Sequence, residues 1–594
     1  MKQQITQALT KVVKELFGEE MTPQVSVPMD FSHGDYTTNV SFILSKKLSL
    51  PLSEVAQKIT SEISKDLGLK IGKIEVAGAG FINFYVNVND LQERLGNVVK
   101  NDTLVGVKKE EKNIMVEYAH PNTHKEMHIG HMRTLITGES VARLLEAVGN
   151  TVYRANYQGD IGPHVAKAMH GIQILMREEA QARGVSFDQV FQEKKALPHK
   201  ERAHFLGAGY VKGNQVYADP KEKEQIDLIN SFLYFKVEGR ESQSALSPEE
   251  QEIMWSMYIE TKQWSLDYYD EFYKRFGTKF NHLFLESAMV VRGREVVMGN
   301  LGTIFTKSDD GAIIFEGEKY GLHTRVFITG AGNPTYEGKE MGNALTEWDL
   351  FHFDKKIHVV ANEQAGYFQV IFKALDLIEP EKFEGKQYHL SMGMVQFSDR
   401  KMSSRTGDIV TVDDLLDEVK HAASELMKVD VLSENERADA LEKVTIGAVK
   451  HSVLKVGTGQ NAAFDIKTSV SLEGNSGPYV QYSYVRTQSI LGKAGASELT
   501  QVEGELLPEE EALARQIYHF PDVIEQAASD LAPQVIATYL FELSQTFNSF
   551  YQKYRIIEAE NDEKKAQRLL LTAAVGKVLA QGLSLLGIEA PAKM

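Results

Sequence analysis

The hydrophobic positions near the start of the chain follow first helical and then strand spacing. Ile5, Leu9, Val12 and Leu16 recur every three or four residues, which predicts an amphipathic helix. The later stretch "KIEVAGAGFINFYVN" alternates on both sides of its glycines, a pattern typical of strand, turn and strand. We therefore expect residues 1–110 to form a small α+β domain that ends in the charged stretch "GVKKEEKN".

The next segment has the pattern of a parallel sheet. "IMVEYA" is a short apolar run, Leu135, Ala142, Leu145 and Val148 have helical spacing, and "TVYRANY" predicts another strand. Strand, helix and strand in this order are typical of a βαβ unit in a Rossmann-type domain. We expect "RVFITG", "KIHVVAN" and "HLSMGMVQF" to continue the same sheet.

Helical spacing dominates two further stretches, a region at about 170–290 and everything beyond about 430. A chain of 594 residues exceeds the roughly 250–300 residues at which single cores stop growing. The predicted fold is multidomain α/β. It has an α+β domain at 1–110, a Rossmann-type parallel-sheet domain at 111–430 with a helical insertion, and an all-α bundle at 431–594.

Composition excludes several kinds of site. The chain has no cysteine, so disulfides, thiolate zinc sites and a cysteine nucleophile are excluded. A net charge of −17 argues against nucleic-acid binding over the whole surface, but it leaves room for a local basic groove. The N-terminus has no signal-peptide pattern, and apolar runs stay short of the roughly 20 residues that a membrane span needs. We expect a cytoplasmic protein without membrane association.

Candidate chemistry begins in "VEYAHPNTHKEMHIGHMRT", where His128 and His131 flank Ile-Gly. The motif follows a predicted strand and opens a helix, which is where βαβ units bind ligands. Gly130 leaves room for a flat ring such as adenine, and two imidazoles three residues apart share one helix face. They can donate hydrogen bonds to an α-phosphate. A surface pair or metal ligands are the alternatives, although no third ligand has suitable spacing and we expect no metal site.

A second polar stretch, "DRKMSSRTGDIVTVDDLLDEV", follows the predicted strand "HLSMGMVQF". Lys401, Ser403, Ser404 and Arg405 would form a cationic loop able to stabilise a departing pyrophosphate. Alone, it could equally be a solvated surface turn. Its occurrence together with the histidine motif, in this order, makes the catalytic interpretation far more specific.

"HIGH" and "KMSSR" resemble the two signature motifs of class I aminoacyl-tRNA synthetases. Four further stretches and the ending "LLGIEAPAKM" resemble the arginyl-tRNA synthetase family: "ANYQGDIG", "SLEGNSGPYVQYSYVR", "HGDYTTNVSFILSKKL" and "GAGFINF". The resemblance implies ATP-dependent attachment of L-arginine to tRNA(Arg) through arginyl-adenylate, with release of AMP and pyrophosphate. It also implies that tRNA must be bound before the first step, and that Mg²⁺ arrives with ATP without a dedicated protein site.

The same resemblance implies roles for individual residues. Those matching the ATP-binding and catalytic positions are Lys125, His128, Gly130, His131, Lys401, Ser403 and Ser404. Those matching the arginine-binding positions are Asn83, Glu117, His120, Asn122, His131, Tyr336, Glu340 and Gln364. In the C-terminal bundle, which resembles an anticodon-binding domain, the candidates for tRNA contact are Tyr479, Gln481, Tyr482, Arg486, Lys553 and Arg555. The N-terminal domain resembles one that binds the tRNA elbow.

The chain departs from the family pattern at two places. The usual class I loop reads Lys-Met-Ser-Lys-Ser, whereas Ser404 stands at the second lysine here. We hypothesise that Lys125 supplies the missing charge to the ATP phosphates. Most relatives read Tyr-x-Thr-Arg-Asp where this chain reads "YEGKE", so Glu340 replaces an aspartate and Lys339 an arginine.

Three other functions fit parts of the sequence. A small adenylyltransferase would share the H-x-G-H motif but not the second loop or the terminal domains. A class I synthetase for another amino acid would share both motifs, but Tyr336, Glu117 and Glu340 favour a cationic side chain. A tRNA-binding paralogue without activity would not need intact signature residues. The sequence leaves the oligomeric state open, with a monomer as the default expectation.

Overall fold

The computed structural model describes residues 1–28, 33–66, 71–78, 80–101, 110–240, 246–398, 411–426, 432–495 and 504–594. The chain divides into two compact units. The first combines residues 1–108, 427–447 and 470–594, and the second combines residues 109–426 and 448–469. The predicted domain limits near 110 and 430 stay predictions.

The N-terminal part of the first unit is an α+β fold, as predicted. Its elements are α1 (Lys2–Phe17), β1 (Val25–Ser26), β2 (Tyr36–Thr38), α2 (Val40–Leu48), α3 (Leu52–Asp66), β3 (Ile71–Ala77), β4 (Phe81–Val86) and α4 (Val88–Lys100). The strands form an antiparallel sheet in the order β1-β2-β4-β3. The predicted strand pair around the glycines is the hairpin β3–β4, and α1 buries Ile5, Leu9 and Val12 as its spacing required.

The second unit begins with the predicted βαβ unit and the insertion. The elements are β5 (Asn113–Glu117), α5 (Ile129–Ala147), β6 (Thr151–Gln158), α6 (Pro163–Arg183), α7 (Phe187–Lys195), α8 (His199–Val216), α9 (Pro220–Val237), α10 (Pro248–Arg275), β7 (His282–Leu285) and α11 (Glu286–Gly299). The insertion, α6–α10, packs around its own apolar core, which includes Met169, Leu206, Phe232, Tyr258 and Trp264.

The rest of the second unit completes the sheet and its covering helices. The elements are β8 (Thr306–Lys307), β9 (Ile313–Phe315), β10 (Arg325–Ile328), α12 (Tyr336–Leu350), β11 (Lys355–Ala361), α13 (Ala365–Ile378), α14 (Pro380–Phe383), β12 (Gln387–Met392), β13 (Val395–Phe397) and α15 (Val412–Leu426). The helix α16 (Glu434–Leu454) contributes residues to both units, and β14 (Ala462–Phe464) and α17 (Ile466–Ser469) belong to the second.

Five parallel strands form the central sheet in the order β12-β11-β5-β6-β7, which confirms the Rossmann-type prediction. Two expectations about its strands were wrong. "RVFITG" forms β10, which pairs antiparallel with β9 in a separate three-stranded sheet. The second half of "HLSMGMVQF" forms β13, which pairs with β14 instead of joining the central sheet. The fifth strand, β7, comes from the end of the predicted insertion. Short apolar runs do not reveal their pairing partner, so sequence patterning could not assign these strands.

The C-terminal bundle is helical as expected, with α18 (Gly477–Ala494), α19 (Pro508–Ser529), α20 (Pro533–Lys553) and α21 (Asp562–Leu585). Within the described part of the chain, α21 alone has the length and hydropathy of a membrane span. Its most apolar window is 78% buried among the other helices, as in the core helix of a folded domain. Packing inside the bundle therefore explains why α21 is long and apolar.

A buried polar cluster joins the two ends of the chain within the first unit. The carboxylate of Asp35, at the start of β2, is fully buried and contacts Arg515 and His519 of α19. The Tyr36 hydroxyl donates to Asp522 over 2.8 Å. Burial opposes a charge on His519, yet the hydrogen bonds that its ring donates to Asp35 and Asp522 raise its pKa above the ordinary value. The N-terminal sheet and the helical bundle thus share an ionic core.

Close packing of α6 on α8 depends on glycine. A methyl group at Gly171 would overlap the backbone carbonyl of Gly209 and approach the Gly213 nitrogen to 2.7 Å. Gly171→Ala should therefore separate the helices and lower stability by about 1–3 kcal/mol. Thermal unfolding followed by calorimetry would measure this loss. Gly492→Ala is the matched control, since position 492 faces open space within α18 and the change should raise stability by up to about 1 kcal/mol. Equal melting temperatures for parent and Gly171→Ala would contradict the packing argument.

Candidate active site at the carboxyl edge of the parallel sheet

His128 caps the helix that follows the first strand of the central sheet. Its Nδ1 accepts hydrogen bonds from the backbone N–H groups of Gly130 (3.1 Å) and His131 (3.4 Å). A β-carbon at position 130 would lie 2.9 Å from Cε1 of the same ring, so glycine makes room for the capping imidazole. The predicted approach of a flat ligand ring to Gly130 stays a prediction. The contact with the His128 ring already explains why a glycine occupies position 130.

The rings of the two histidines stack on each other. Their spacing predicts a shared side of the helix but not this contact. Their ring centres lie 3.7 Å apart with the planes inclined by 20°. Burial and the charge of Lys125 lower the pKa of His128 to about 4, and burial with the neighbouring His128 lowers that of His131 well below its ordinary value. Because Nδ1 of His128 accepts hydrogen bonds, its proton lies on Nε2. Both rings are neutral donors at physiological pH.

The segment from Tyr118 to Met127, which we call the signature loop, has an unusual backbone. Ala119, His120 and His124 all adopt left-handed conformations, with φ of 79°, 52° and 62°. Residues without glycine's freedom adopt this region at a cost and cluster at functional sites. A residue outside the loop stabilises this backbone conformation. The Tyr269 hydroxyl donates to the carbonyls of Asn122 (2.6 Å) and Lys125 (2.8 Å).

Asn122 faces the next strand of the sheet. It forms a bridge with Gly159, directly after β6, and a β-carbon at Gly159 would collide with its side-chain oxygen. The imidazole of His120 is largely buried, and its Nε2 has no hydrogen-bond partner among the described residues. The Tyr157 hydroxyl is buried and unpartnered within the same described part. Several polar atoms therefore converge on one edge of the sheet with their hydrogen bonds unmade, as a ligand site requires.

Residues on both sides of the second motif contact the first motif or the helix that it opens. Lys401, Ser403, Ser404 and Arg405 lie outside the described residues, so their expected roles stay predictions. After the motif, the Val412 N–H donates to the Met127 carbonyl (2.9 Å), and Thr411 pairs with His128. Before it, Arg133 of α5 donates to the carbonyl of Met394 over 2.7 Å. The two sequence motifs are thus attached to each other through their flanks.

One face of α12 supplies the predicted acceptors. Tyr336, Glu340, Asn343 and Glu347 recur at helical spacing, and the last three are buried. Burial and the neighbouring Glu117 raise the pKa of Glu340 to about 8. Its Oε1 has no partner in the described structure. A buried carboxyl group with an unmet acceptor is suited to a cationic group that donates hydrogen bonds.

Behind Glu340 lies a buried charge network that the sequence did not suggest. Lys356 of β11 is fully buried, lies 2.9 Å from Glu117 and contacts Glu347 more closely. Burial alone would raise the pKa of Glu117, but Lys356 and His358 hold it well below the ordinary value. Burial and Lys356 lower the pKa of His358 to about 4, so this ring is neutral. Together with Glu340, the network has three carboxyl groups for one cation.

Glu117, Glu340 and His358 place one potential ligand atom each within 4.8 Å of one another. This geometry resembles a metal site, which we did not expect. However, Nδ1 of His358 already lies 3.1 Å from Glu117 and its Nε2 lies 2.8 Å from Gln387, so both ring nitrogens have partners. Of these three side chains, only Glu340 has an oxygen that lacks a partner among the described residues. One open acceptor is better suited to a donating organic cation than to a metal ion.

Three further predicted residues, Tyr336, Gln364 and Asn83, and the substituted residue Lys339 lie outside the charge network around Lys356. Tyr336 is 46% exposed and its hydroxyl lies 3.1 Å from Nδ1 of His164. Gln364 is exposed in a 3-10 turn directly after β11. Lys339, which replaces the family's arginine, is buried against Glu286, and that carboxylate raises the Lys339 pKa although burial opposes it. Asn83 belongs to the first unit, where its side chain accepts from Thr37 over 2.7 Å.

Three of the six predicted tRNA-contacting residues, Tyr479, Tyr482 and Arg486, form a cluster at one place in the helical bundle. Arg486 lies above the rings of Tyr482 (4.7 Å) and Tyr551 (5.1 Å), and it donates to the Tyr482 hydroxyl. Asn548 contacts Arg486 and donates to the Tyr479 hydroxyl over 3.0 Å. Tyr551 is 41% exposed, so this cluster presents stacked aromatic and guanidinium groups to solvent.

The remaining candidates in the bundle differ in accessibility. Gln481 is fully buried and its amide donates to the carbonyls of Lys443 and Glu589, so its side chain is part of the core. Lys553 is exposed but paired with Glu509. Arg555 is exposed, and its carbonyl accepts from Arg568. Exposure therefore favours the tyrosine and arginine cluster over Gln481 as a surface for nucleic acid.

Sequence reasoning missed Lys356, His358, Asn343 and Glu347. Weak signals were present, because polar residues at alternate positions in the otherwise apolar run "KKIHVVA" are unusual for a buried strand. Asn343 and Glu347 also continue the helical stripe that begins at Tyr336.

Lys356 should stabilise the fold as well as the site. Lys356→Met would leave buried carboxylates without their cation, a change that typically costs about 3–5 kcal/mol. We expect a clear fall in the melting temperature by calorimetry. Lys355→Met is the control, since this neighbouring lysine is partly exposed over the Tyr388 ring and should change stability by no more than about 0.5 kcal/mol. Similar melting temperatures for the two variants would contradict a buried ionic role for Lys356.

Three family models match successive parts of the chain. The Arginyl tRNA synthetase N terminal domain matches residues 1–86. The catalytic domain of tRNA synthetases class I (R) matches residues 94–466. The DALR anticodon binding domain matches residues 480–594.

Individual relatives agree with the models. An arginine–tRNA ligase of Bacteroides thetaiotaomicron is 30% identical over 612 aligned residues, covering 98% of both chains. One from Flavobacterium psychrophilum is 31% identical over 560 residues, covering 89% of both. In fold, the chain is similar to the arginyl-tRNA synthetases of Thermus thermophilus (TM-score 0.79, 22% identity, all of both chains) and Plasmodium falciparum (TM-score 0.76, 19% identity, 100% and 99% covered). With its signature histidines, parallel sheet and helical bundle in the expected places, the chain belongs to the arginyl-tRNA synthetase family of class I aminoacyl-tRNA synthetases.

Proposed function

We propose that the chain joins L-arginine to tRNA(Arg) in two steps at the carboxyl edge of its parallel sheet. The single observation that carries the choice of arginine is the unmet Glu340 oxygen beside a network with more carboxyl groups than cations. A guanidinium group offers a delocalised charge and a fork of N–H donors that match a carboxylate. It would supply both the missing cation and the missing hydrogen bonds.

The amino-acid end of the substrate would lie nearer the signature loop. His120 is one of the left-handed residues and lies 3.9 Å from the Glu117 carboxylate, and Asn122 lies between His120 and His124. We assign them to the α-amino and carboxylate groups, with His131 on the carboxylate and Glu117, Tyr336 and Gln364 supporting the side chain. Asn83 keeps its proposed place in the arginine pocket.

ATP would bind over the start of α5. A carboxylate oxygen of arginine attacks the α-phosphorus, the bond from that phosphorus to the bridging oxygen breaks, and pyrophosphate leaves with the electron pair. Neutral His128 and His131 donate hydrogen bonds to the α-phosphate oxygens as charge builds there. Lys125 and Lys401, with Ser403 and Ser404, would stabilise the pyrophosphate. Mg²⁺ accompanies ATP as part of the substrate. The ribose hydroxyl of tRNA then attacks the arginyl carbonyl and AMP leaves.

The bundle surface around Tyr479, Tyr482 and Arg486 is proposed to stack unpaired bases of the tRNA, with Lys553 and Arg555 near its backbone. Gln481 is left out, since its amide is used inside the bundle. We also propose that the protein acts in the cytoplasm, as a monomer, without membrane association.

The decisive experiment is arginine-dependent exchange of pyrophosphate into ATP, with and without total tRNA, using lysine and glutamate as control substrates. We expect exchange with arginine only, and only in the presence of tRNA. Exchange with lysine in place of arginine would redirect the assignment to another class I synthetase. Retained tRNA binding without any exchange would support an inactive paralogue.

Glu340 should make arginine binding depend on pH. Its pKa of about 8 leaves it largely protonated at neutral pH in the free protein, whereas a bound guanidinium requires the carboxylate. Arginine binding therefore releases a proton, and the KM for arginine should fall as pH rises towards 8 and then level off. Glu340→Gln should raise this KM by at least about tenfold and remove the pH dependence.

The KM for ATP serves as the internal control in the same assay, since Glu340 lies on the guanidinium side of the site. Glu337→Gln is the matched variant, because Glu337 lies on the same helix and pairs with Arg325. An unchanged KM for arginine in Glu340→Gln would remove Glu340 from the pocket.

A further inference from the structure

The helical insertion contacts the signature loop through two of its helices. On α10, Tyr269 holds the carbonyls of Asn122 and Lys125, and Ser265 accepts from the His124 N–H over 2.8 Å. The His124 ring is fully buried, with Nε2 lying 2.9 Å from the Thr261 hydroxyl. The left-handed backbone of the loop is therefore shaped by a helix of the insertion.

The second helix, α8, contacts the side chains of the same loop. The ammonium of Lys125 lies 4.0 Å from the centre of the Tyr210 ring. Six residues earlier on the same helix, Nδ1 of His204 lies 3.3 Å from the Glu126 carboxylate. A β-carbon at Gly207 would come within 2.8 Å of that carboxylate, so α8 approaches Glu126 closely. Two successive residues of the signature loop thus lie against α8.

The contact with Tyr210 restricts a side chain that would otherwise be mobile. Lysine has a flexible four-carbon stem, and immobilising it costs conformational entropy. An ammonium over an aromatic face gains about 0.5–2 kcal/mol, according to how far it is desolvated. Lys125 and Tyr210 are both partly buried. The pair therefore keeps the ammonium in one place before any phosphate arrives.

That place is next to the signature histidines. Lys125 precedes His128 by three residues, directly before the helix that His128 caps, and its charge adds to the burial that lowers the pKa values of His128 and His131. The Lys125 backbone is fixed by Tyr269, and its side-chain end is fixed by Tyr210. The insertion thus holds both ends of this residue.

We propose that Tyr210 is a positioning residue for adenylation, whose ring holds the ammonium of Lys125 ready for the phosphates of ATP beside His128 and His131. This inference rests on the proposed role of Lys125. It gives the insertion a function in the first step of the reaction: α8 supplies the ring, and α10 supplies the backbone contacts.

The test is tRNA-supported ATP–pyrophosphate exchange in Tyr210→Leu, Lys125→Ala and the double variant. Tyr210→Leu should lower kcat/KM for ATP about 3- to 30-fold, the range that a lost cation–π contact implies. The KM for arginine and the affinity for tRNA should stay unchanged. In the Lys125→Ala background, Tyr210→Leu should have no further effect, because the ring acts only through the lysine.

Tyr217→Leu is the matched control. Tyr217 ends the same helix and lies 3.9 Å from the ammonium of Lys167, so the variant removes an equivalent pair elsewhere on the insertion. Its exchange kinetics should match the parent. Should Tyr210→Leu fail to fold, a series of increasingly fluorinated phenylalanines at position 210 keeps the ring and weakens the cation–π contact stepwise. Tyr210→Phe is the reference for this series, because the Tyr210 hydroxyl also interacts with Lys125 and Asn214. A graded loss of kcat/KM for ATP would support the proposal.

The possible outcomes distinguish a failure of the role of Tyr210 from a failure of the proposed synthetase function. Parent-like kinetics for Tyr210→Leu or for the fluorinated series, while Lys125→Ala is impaired, would overturn the role of Tyr210 alone. Equal losses from Tyr210→Leu with and without Lys125 would show that the tyrosine acts by another route. An unimpaired Lys125→Ala would overturn the role of the lysine and this inference together. Absence of exchange in the parent would reject the proposed function itself.

Discussion

The ion pairs of Lys356 with Glu117 and Glu347 set the electrostatics of the whole site. A buried lysine needs carboxylate partners, and each buried carboxylate needs a cation or a proton. Once Lys356 has ionised Glu117, Glu340 lies next to a fixed negative charge, and its own ionisation becomes unfavourable. Burial and the charge of Glu117 also raise the pKa of Glu347 well above its ordinary value. The free pocket therefore reaches neutrality with protons on Glu340 and Glu347, and a guanidinium can replace the proton on Glu340. In the proposed arginine pocket, selectivity for a cation would follow from this imbalance more than from any one contact.

The proposed ATP side of the site depends on a different constraint. The strained signature loop is held in place by α10, which is distant from it in sequence. Three left-handed residues within the signature loop turn the chain from β5 to α5 in a short distance. Such a backbone persists only where its surroundings fix it. Tyr269, Ser265 and Thr261 of α10 do so through hydrogen bonds to the loop. The insertion thus belongs to the architecture of the site, although it lies between two strands of the sheet in sequence.

Local regularities of the fold were predictable from sequence, whereas long-range pairings were not. The helix α1, the β3–β4 hairpin and the βαβ unit follow from spacing within short windows. The shared side of His128 and His131 follows from their three-residue separation, whereas the stacking of their rings is seen only in the structure. By contrast, β10 and β13 have apolar patterns that fit any sheet, and their true partners, β9 and β14, are set by tertiary structure. Lys356 meets Glu117 because parallel strands β11 and β5 are neighbours, which no local pattern encodes.

The two departures in the arginine pocket are coupled in the structure. Lys339 stands where relatives have arginine, and its ammonium is drawn to Glu286 and to the Ile161 carbonyl (3.4 Å). A lysine ammonium is one compact charge, whereas an arginine guanidinium is a planar fork of N–H donors. A single carboxylate is therefore enough to neutralise Lys339. Glu286 lies at the start of α11, and its contact with Lys339 leaves Glu340 without a cation of its own. One carboxyl oxygen of Glu340 has no partner among the described residues. In the proposed arginine pocket, the two residues together thus keep an acceptor without a cation, which a guanidinium group would bind.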